Sequence, residues 1–102
     1  MHLIELLLPL NDNGGRPFGA EKYAAVREYL IERFGRVTTF TRSPTQGATT
    51  EKGTTVDDEI VVFEVMTETL DRSWWWGGYR HQLELEFRQD EIVVRASAVT
   101  LL

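Results

Sequence analysis

"LDRSWWWGGYRHQLELEF", Leu70 to Phe87, crowds three tryptophans, two glycines, a tyrosine and a histidine into a stretch of helical length. Its reading decides the fold. At about 100° per residue, Trp76, Tyr79, Leu83 and Phe87 fall on one side, with the stems of Arg72 and Arg80 beside them. Trp74, Gly78, His81 and Leu85 gather on the other side, with Leu70 at its edge and Trp75 between the two. The spacing therefore predicts a helix with a complete sheet-facing stripe and an extra apolar flank. Gly77-Gly78 costs such a helix roughly 1 kcal/mol per glycine, which predicts a kink or a close approach by another backbone.

Working outward, the neighbours of this helix read as strands. "DEIVVFEVM" (Asp58–Met66) precedes it and "DEIVVRASAV" follows it, both rich in β-branched residues. "HLIELLLP" predicts a first strand over His2–Leu8, closed by the plain turn "NDNGGRP". From Gly19 to Phe34, Tyr23, Val26, Leu30 and Phe34 recur at spacings of three and four, with Gly35 placed as a left-handed cap. "RVTTFTR" (Arg36–Arg42) is another strand, and the polar Ser43–Val56 connection is expected to be poorly ordered or ordered by a partner. The order β-α-β-β-α-β folds most simply into a ferredoxin-like α+β sandwich: one four-stranded antiparallel sheet, both helices on one face, a single domain over residues 1–102.

Composition removes several functions. The net charge is -5 and there is no basic run, which speaks against nucleic-acid binding. With no cysteine there is no disulfide framework or thiolate chemistry, and His2 and His81 have no metal-ligand spacing. No phosphate-cradling glycine motif or nucleophile elbow occurs, so no metal or cofactor is expected. "MHLIELLLPL" lacks a basic leader region and Glu5 interrupts a run too short for a bilayer, so a cytoplasmic protein without membrane contact is expected.

Strand alternation sorts the sheet into two faces. Ile4, Leu6, Leu8, Val61, Phe63, Val65, Ile92, Val94 and Ala96 should meet the helices. The other face carries Leu3, Leu7, Phe40, Ile60, Val62, Met66 and Val93, too apolar to meet water, together with Glu5, Glu64, Arg42 and Arg95. Glu5 beside Arg95 and Glu64 beside Arg42 are the expected cross-strand pairs. A homodimer through this face is the simplest cover.

Order, length and this apolar outer face resemble the dimeric α/β-barrel proteins, a superfamily with cofactor-free monooxygenases, haem-handling enzymes and muconolactone-isomerase-like members. "LLLPLNDNGGRPF", "LIERFGRVTTFTRSP" and "FRQDEIVVRA" look like a group of small uncharacterised bacterial proteins. The leading expectation is a homodimer that binds a small hydrophobic or aromatic metabolite, with Trp75, Tyr79, His81, Arg42 and Arg95 as ligand-binding residues. The second is a cofactor-independent monooxygenase or isomerase. His81 would then be the first choice for proton acceptor, since imidazole titrates nearest neutrality, and Glu64 the other. The third is a structural partner of another protein through the Trp74/Leu85 flank.

Overall fold

Runs of branched apolar residues become the middle of a sheet, and the stretches with apolar residues three and four apart become the helices that cover it. In chain order the elements are β1 (His2–Pro9), α1 (Ala20–Phe34), β2 (Thr38–Arg42), β3 (Thr50–Glu51), β4 (Thr54–Thr55), β5 (Ile60–Thr67), α2 (Trp75–Glu86) and β6 (Val93–Ala98). The computed structural model describes residues 1–42, 50–51, 54–55, 59–70 and 75–102. Most of the Ser43–Val56 connection and residues 71–74 lie outside the described residues, and so do the expectations placed on that loop and on Trp74.

The main sheet has the order β2-β5-β1-β6, with every neighbouring pair antiparallel. This is an α+β fold consistent with a ferredoxin-like arrangement. Within the long connection, β3 and β4 pair as a separate two-stranded sheet, which the threonine-rich sequence did not announce. The described part of the second helix runs from Trp75, and Leu70, where the expected periodicity began, is not helical.

Both helices lie on one face. Ile4, Leu6, Leu8, Val61, Phe63, Val65 and Ile92 from the strands join Val26 and Leu30 of α1 in one buried cluster. Trp76, Tyr79 and Leu83 of α2, with Phe87 just beyond it, complete that cluster, so the predicted stripe faces the sheet. Phe34 stacks on Trp76 at 5.6 Å between ring centroids, and Phe18 meets Phe87 edge-on at 5.0 Å. Gly35 caps α1 at φ 82°, where its N–H donates to the Ile31 carbonyl at 2.6 Å. Only glycine occupies that left-handed position without steric cost.

The glycine pair in α2 behaves differently from expectation. The helix runs through Gly77 and Gly78, both are exposed, and a Cβ at either would meet open space. No described backbone approaches there, so close packing does not explain the pair.

Candidate functional site

The outer sheet face gathers the ionisable side chains, and strand register decides which of them meet. Glu5 lies opposite Arg95 on β6, and Arg95 Nε donates to Glu5 Oε1 at 3.1 Å. On its other side Glu5 lies opposite Glu64 of β5. Two carboxyls therefore share the centre of the sheet, with one guanidinium on the Glu5 side. Partial burial pushes the Glu64 carboxyl up from its ordinary value, and hydrogen bonding to Glu5 and its negative charge add to that rise.

The expected Glu64–Arg42 cross-strand pair is not what the register produces. Thr38 sits opposite Glu64, and Arg42 sits opposite Ile60, four residues further along β5. Arg42 still lowers the Glu64 value by its field, but this is the weakest of the influences on that group. Alternation assigns side chains to faces, whereas stagger between strands depends on the connections, and β2 joins β5 through a long one.

Around this centre the face is unevenly open. Phe40, Met66 and Val93 are 40%, 50% and 44% exposed, Leu3, Leu7 and Ile60 are half-buried, and Val62 is fully buried. Val62 lies between Leu7 and Phe40, its partners on the adjacent strands, and stands apart from the helix-covered core. Val62, expected in the apolar patch that a partner would cover, is thus already covered within the single chain.

At one end the face runs into a cleft of about 590 Å³. Leu7, Ile60 and Val93 supply its apolar floor. The turn after β1 supplies Asn11, Asp12 and Asn13, and the segment before β6 supplies Gln89 and Glu91. Both walls are held from within. Asp12 Oδ1 accepts from the Gly14 and Arg16 N–H groups at 2.9 Å each, with Gly15 in the left-handed region at φ 84°. The Ile92 N–H donates to Glu84 Oε2 at 3.1 Å. The walls also touch: Asn13 Nδ2 donates to the Arg88 carbonyl at 3.3 Å and Gln89 Nε2 to Asn13 Oδ1 at 3.4 Å.

The remaining residues expected at a site are dispersed. Tyr79 is buried in the core, 4.8 Å from the Tyr29 ring between centroids, and burial pushes its hydroxyl well above the ordinary tyrosine range. His81 stands on the solvent side of α2, its side chain 73% exposed and 3.8 Å from Glu84. Trp75 opens α2, and its side chain lies outside the described residues. Neither Tyr79 nor His81 lines the cleft, whereas Arg42, Arg95 and Glu64 share the outer face beside it. Among the described residues no group of His, Asp and Glu could hold a metal ion, and no helix is long and apolar enough to cross a membrane.

Glu5 opposite Glu64 is the juxtaposition that sequence reasoning missed, although a signal existed. "HLIELLLP" and "IVVFEVMT" are equally long, each with one acid in its apolar body, fourth from the start in one and fourth from the end in the other. Antiparallel pairing end to end must bring those acids together.

No protein-family model matches the chain, and no curated protein matches it. Solved structures do. The chain is similar to a phage SAM lyase in complex with S-methyl-5'-thioadenosine, at a TM-score of 0.61 and 14% identity over 94% of this chain and 79% of that one. The phage SAM lyase in its apo state gives a TM-score of 0.60 and 13% identity over 94% and 78%. At such identities the likeness is one of fold.

Proposed function

We propose that this protein binds a small aromatic or otherwise hydrophobic metabolite in the cleft at the end of its outer sheet face, and works as a homodimer joined through that face. The cleft carries the reading. Its volume of about 590 Å³ falls within the usual range for small-molecule sites. An apolar floor under a rim of side-chain amides and carboxylates suits a flat heteroaromatic ring, which buries its faces and hydrogen-bonds at its edges. S-methyl-5'-thioadenosine, present in a complex of similar fold, is a ligand of that chemistry and the natural first probe. Exposed Phe40, Met66 and Val93, with half-buried Leu3, Leu7 and Ile60 between them, support the dimer, since soluble chains seldom leave so wide an apolar face uncovered.

Calorimetric titration with S-methyl-5'-thioadenosine and adenosine, alongside light scattering, tests both halves. Binding that weakens at least tenfold in Gln89→Ala, with a dimeric mass, is expected. Absence of binding by either nucleoside overturns the choice of ligand, and a monomer overturns the assembly.

A second reading, an enzyme, draws support from Glu64, whose carboxyl holds its proton to higher pH than usual and could pass it to a ligand. Likeness of fold to a lyase adds to it. Incubation with SAM, followed by chromatography for its loss and for S-methyl-5'-thioadenosine, distinguishes an enzyme from a binder. No turnover, or turnover indifferent to Glu64→Gln, removes this reading.

A further inference from the structure

From the register of the outer face we infer that two copies pack sheet to sheet about a two-fold axis running across the strands, so that each copy's Glu5–Glu64–Arg95 group roofs the cleft of the other. This rests on the dimer proposed above and specifies its geometry and its site.

The register defines four rows on this face, one of the two outer rows being Met66, Leu3 and Ser97. Phe40, Val62, Leu7 and Val93 lie side by side across all four strands and form an apolar middle row. Two residues along the ladder in one direction come Thr38, Glu64, Glu5 and Arg95. Two residues in the other direction come Arg42, Ile60 and Pro9, with Glu91 two places before Val93 on the β6 side. The acid pair thus lies on one side of the middle row, with Leu3 and Met66 beyond it, and the cleft lies on the other side.

Face-to-face packing allows two simple in-plane axes. An axis along the strands, between β5 and β1, would set each Glu64 against the partner's Glu5 and crowd four carboxyls into one spot. Like charges at such an interface are strongly unfavourable. An axis across the strands, along the middle row, reverses the ladder direction instead. The two acid pairs then lie four residues apart along it, about 13 Å at strand rise.

That same axis matches opposite charges. Each Glu64 comes over the partner's Ile60, one strand from the partner's Arg42, and each Arg95 comes over the partner's Glu91. Sheets packed about 10 Å apart leave room for an arginine stem to reach across. The middle row meets itself, phenylalanine on phenylalanine. Each cleft, open in a single copy, gains a roof with two carboxyls and a guanidinium, which selects ligands carrying a positive centre beside an apolar ring over plain hydrocarbons.

The chain has no cysteine, so single introduced thiols report the geometry directly. With the across-strand axis, Phe40→Cys alone links two copies through a short bismaleimide, at a protein concentration above the dimer constant that loss of the ring leaves. With the along-strand axis Phe40 faces the partner's Val93, so only Phe40→Cys combined with Val93→Cys links. In parallel, Arg42→Glu and Glu64→Arg should each weaken the dimer at least tenfold, and the double variant should recover to within about threefold of the parent. Linking by Phe40→Cys and recovery in the double variant are the expected results. A dimer in which Phe40→Cys fails to link, or in which the swapped pair does not recover, overturns this geometry and leaves the sheet-face dimer standing. A wild-type monomer overturns both.

Discussion

Phe40→Ala separates assembly from folding. Phe40 lies on β2, an edge strand of the sheet, and is 40% exposed, so its removal opens little of the helix-covered core. A phenylalanine presents roughly 150–250 Å² for burial, which leaves about 60–100 Å² to be covered by a partner. At about 25 cal/mol per Å² that is roughly 1.5–2.5 kcal/mol per copy, and twice that in a symmetric dimer. Interfaces return less than the full area term because ordering and desolvation oppose it, so the lower end, about 3 kcal/mol, is the working value. It corresponds to an increase in dimer dissociation constant of about a hundredfold. Sedimentation velocity over a concentration series measures the constant, and thermal unfolding of dilute monomer checks that the fold survives. A dimer whose constant moves less than threefold places Phe40 outside the interface and refutes the reasoning. Val62→Asp is a poorer probe, because Val62 is already buried within the single chain and the charge would test folding as well.

Gly77→Ala and Gly78→Ala should each stabilise the protein by about 0.5–1 kcal/mol, read as a rise in thermal midpoint, because both positions are exposed in a helix interior with open space for a methyl group. A loss of stability would show that something does pack against that turn. Glu64→Gln should flatten the pH dependence of monomer stability. A carboxyl raised in the folded state adds stability below its ordinary value of 4.5, and this is lost as pH rises through the elevated folded value. The parent, held monomeric by Phe40→Ala, should therefore unfold more readily at pH 7 than near pH 4 through this group, and the additional Glu64→Gln change should reduce that difference. An unchanged slope removes Glu64 as its source.

The fold was legible where a single element carried its own signal. Tyr23, Val26, Leu30 and Phe34 mark α1, and Trp76, Tyr79, Leu83 and Phe87 mark the buried side of α2, without reference to anything else in the chain. Strand faces were equally plain: Ile4, Leu6 and Leu8 lie inward because alternation leaves no other choice. The Gly77-Gly78 pair shows the limit of such reasoning. A helix-weakening pair is compatible with a kink, a close contact or neither, and sequence alone carries no packing partner to decide among them.

The site required a level of information that lies between elements. Burial raises the Glu64 value first, and Glu5, opposite it on β1, holds the proton more tightly still. The stagger that sets Thr38 rather than Arg42 opposite Glu64 on β2 is not legible in β5 itself. The cleft is of the same kind. Its floor comes from Leu7, Ile60 and Val93 on three strands, and its walls from segments joined by Asn13 and Gln89, which are 76 positions apart in sequence. The aromatic stretch is conspicuous in the sequence because its residues are neighbours in the chain, yet Tyr79 lies in the core and His81 faces solvent. Residues that a sheet brings together from distant segments have the stronger claim to the chemistry, since the register fixes their spacing, and that places Glu64, Glu5 and Arg95 ahead of the tryptophan-rich helix as the first positions to mutate.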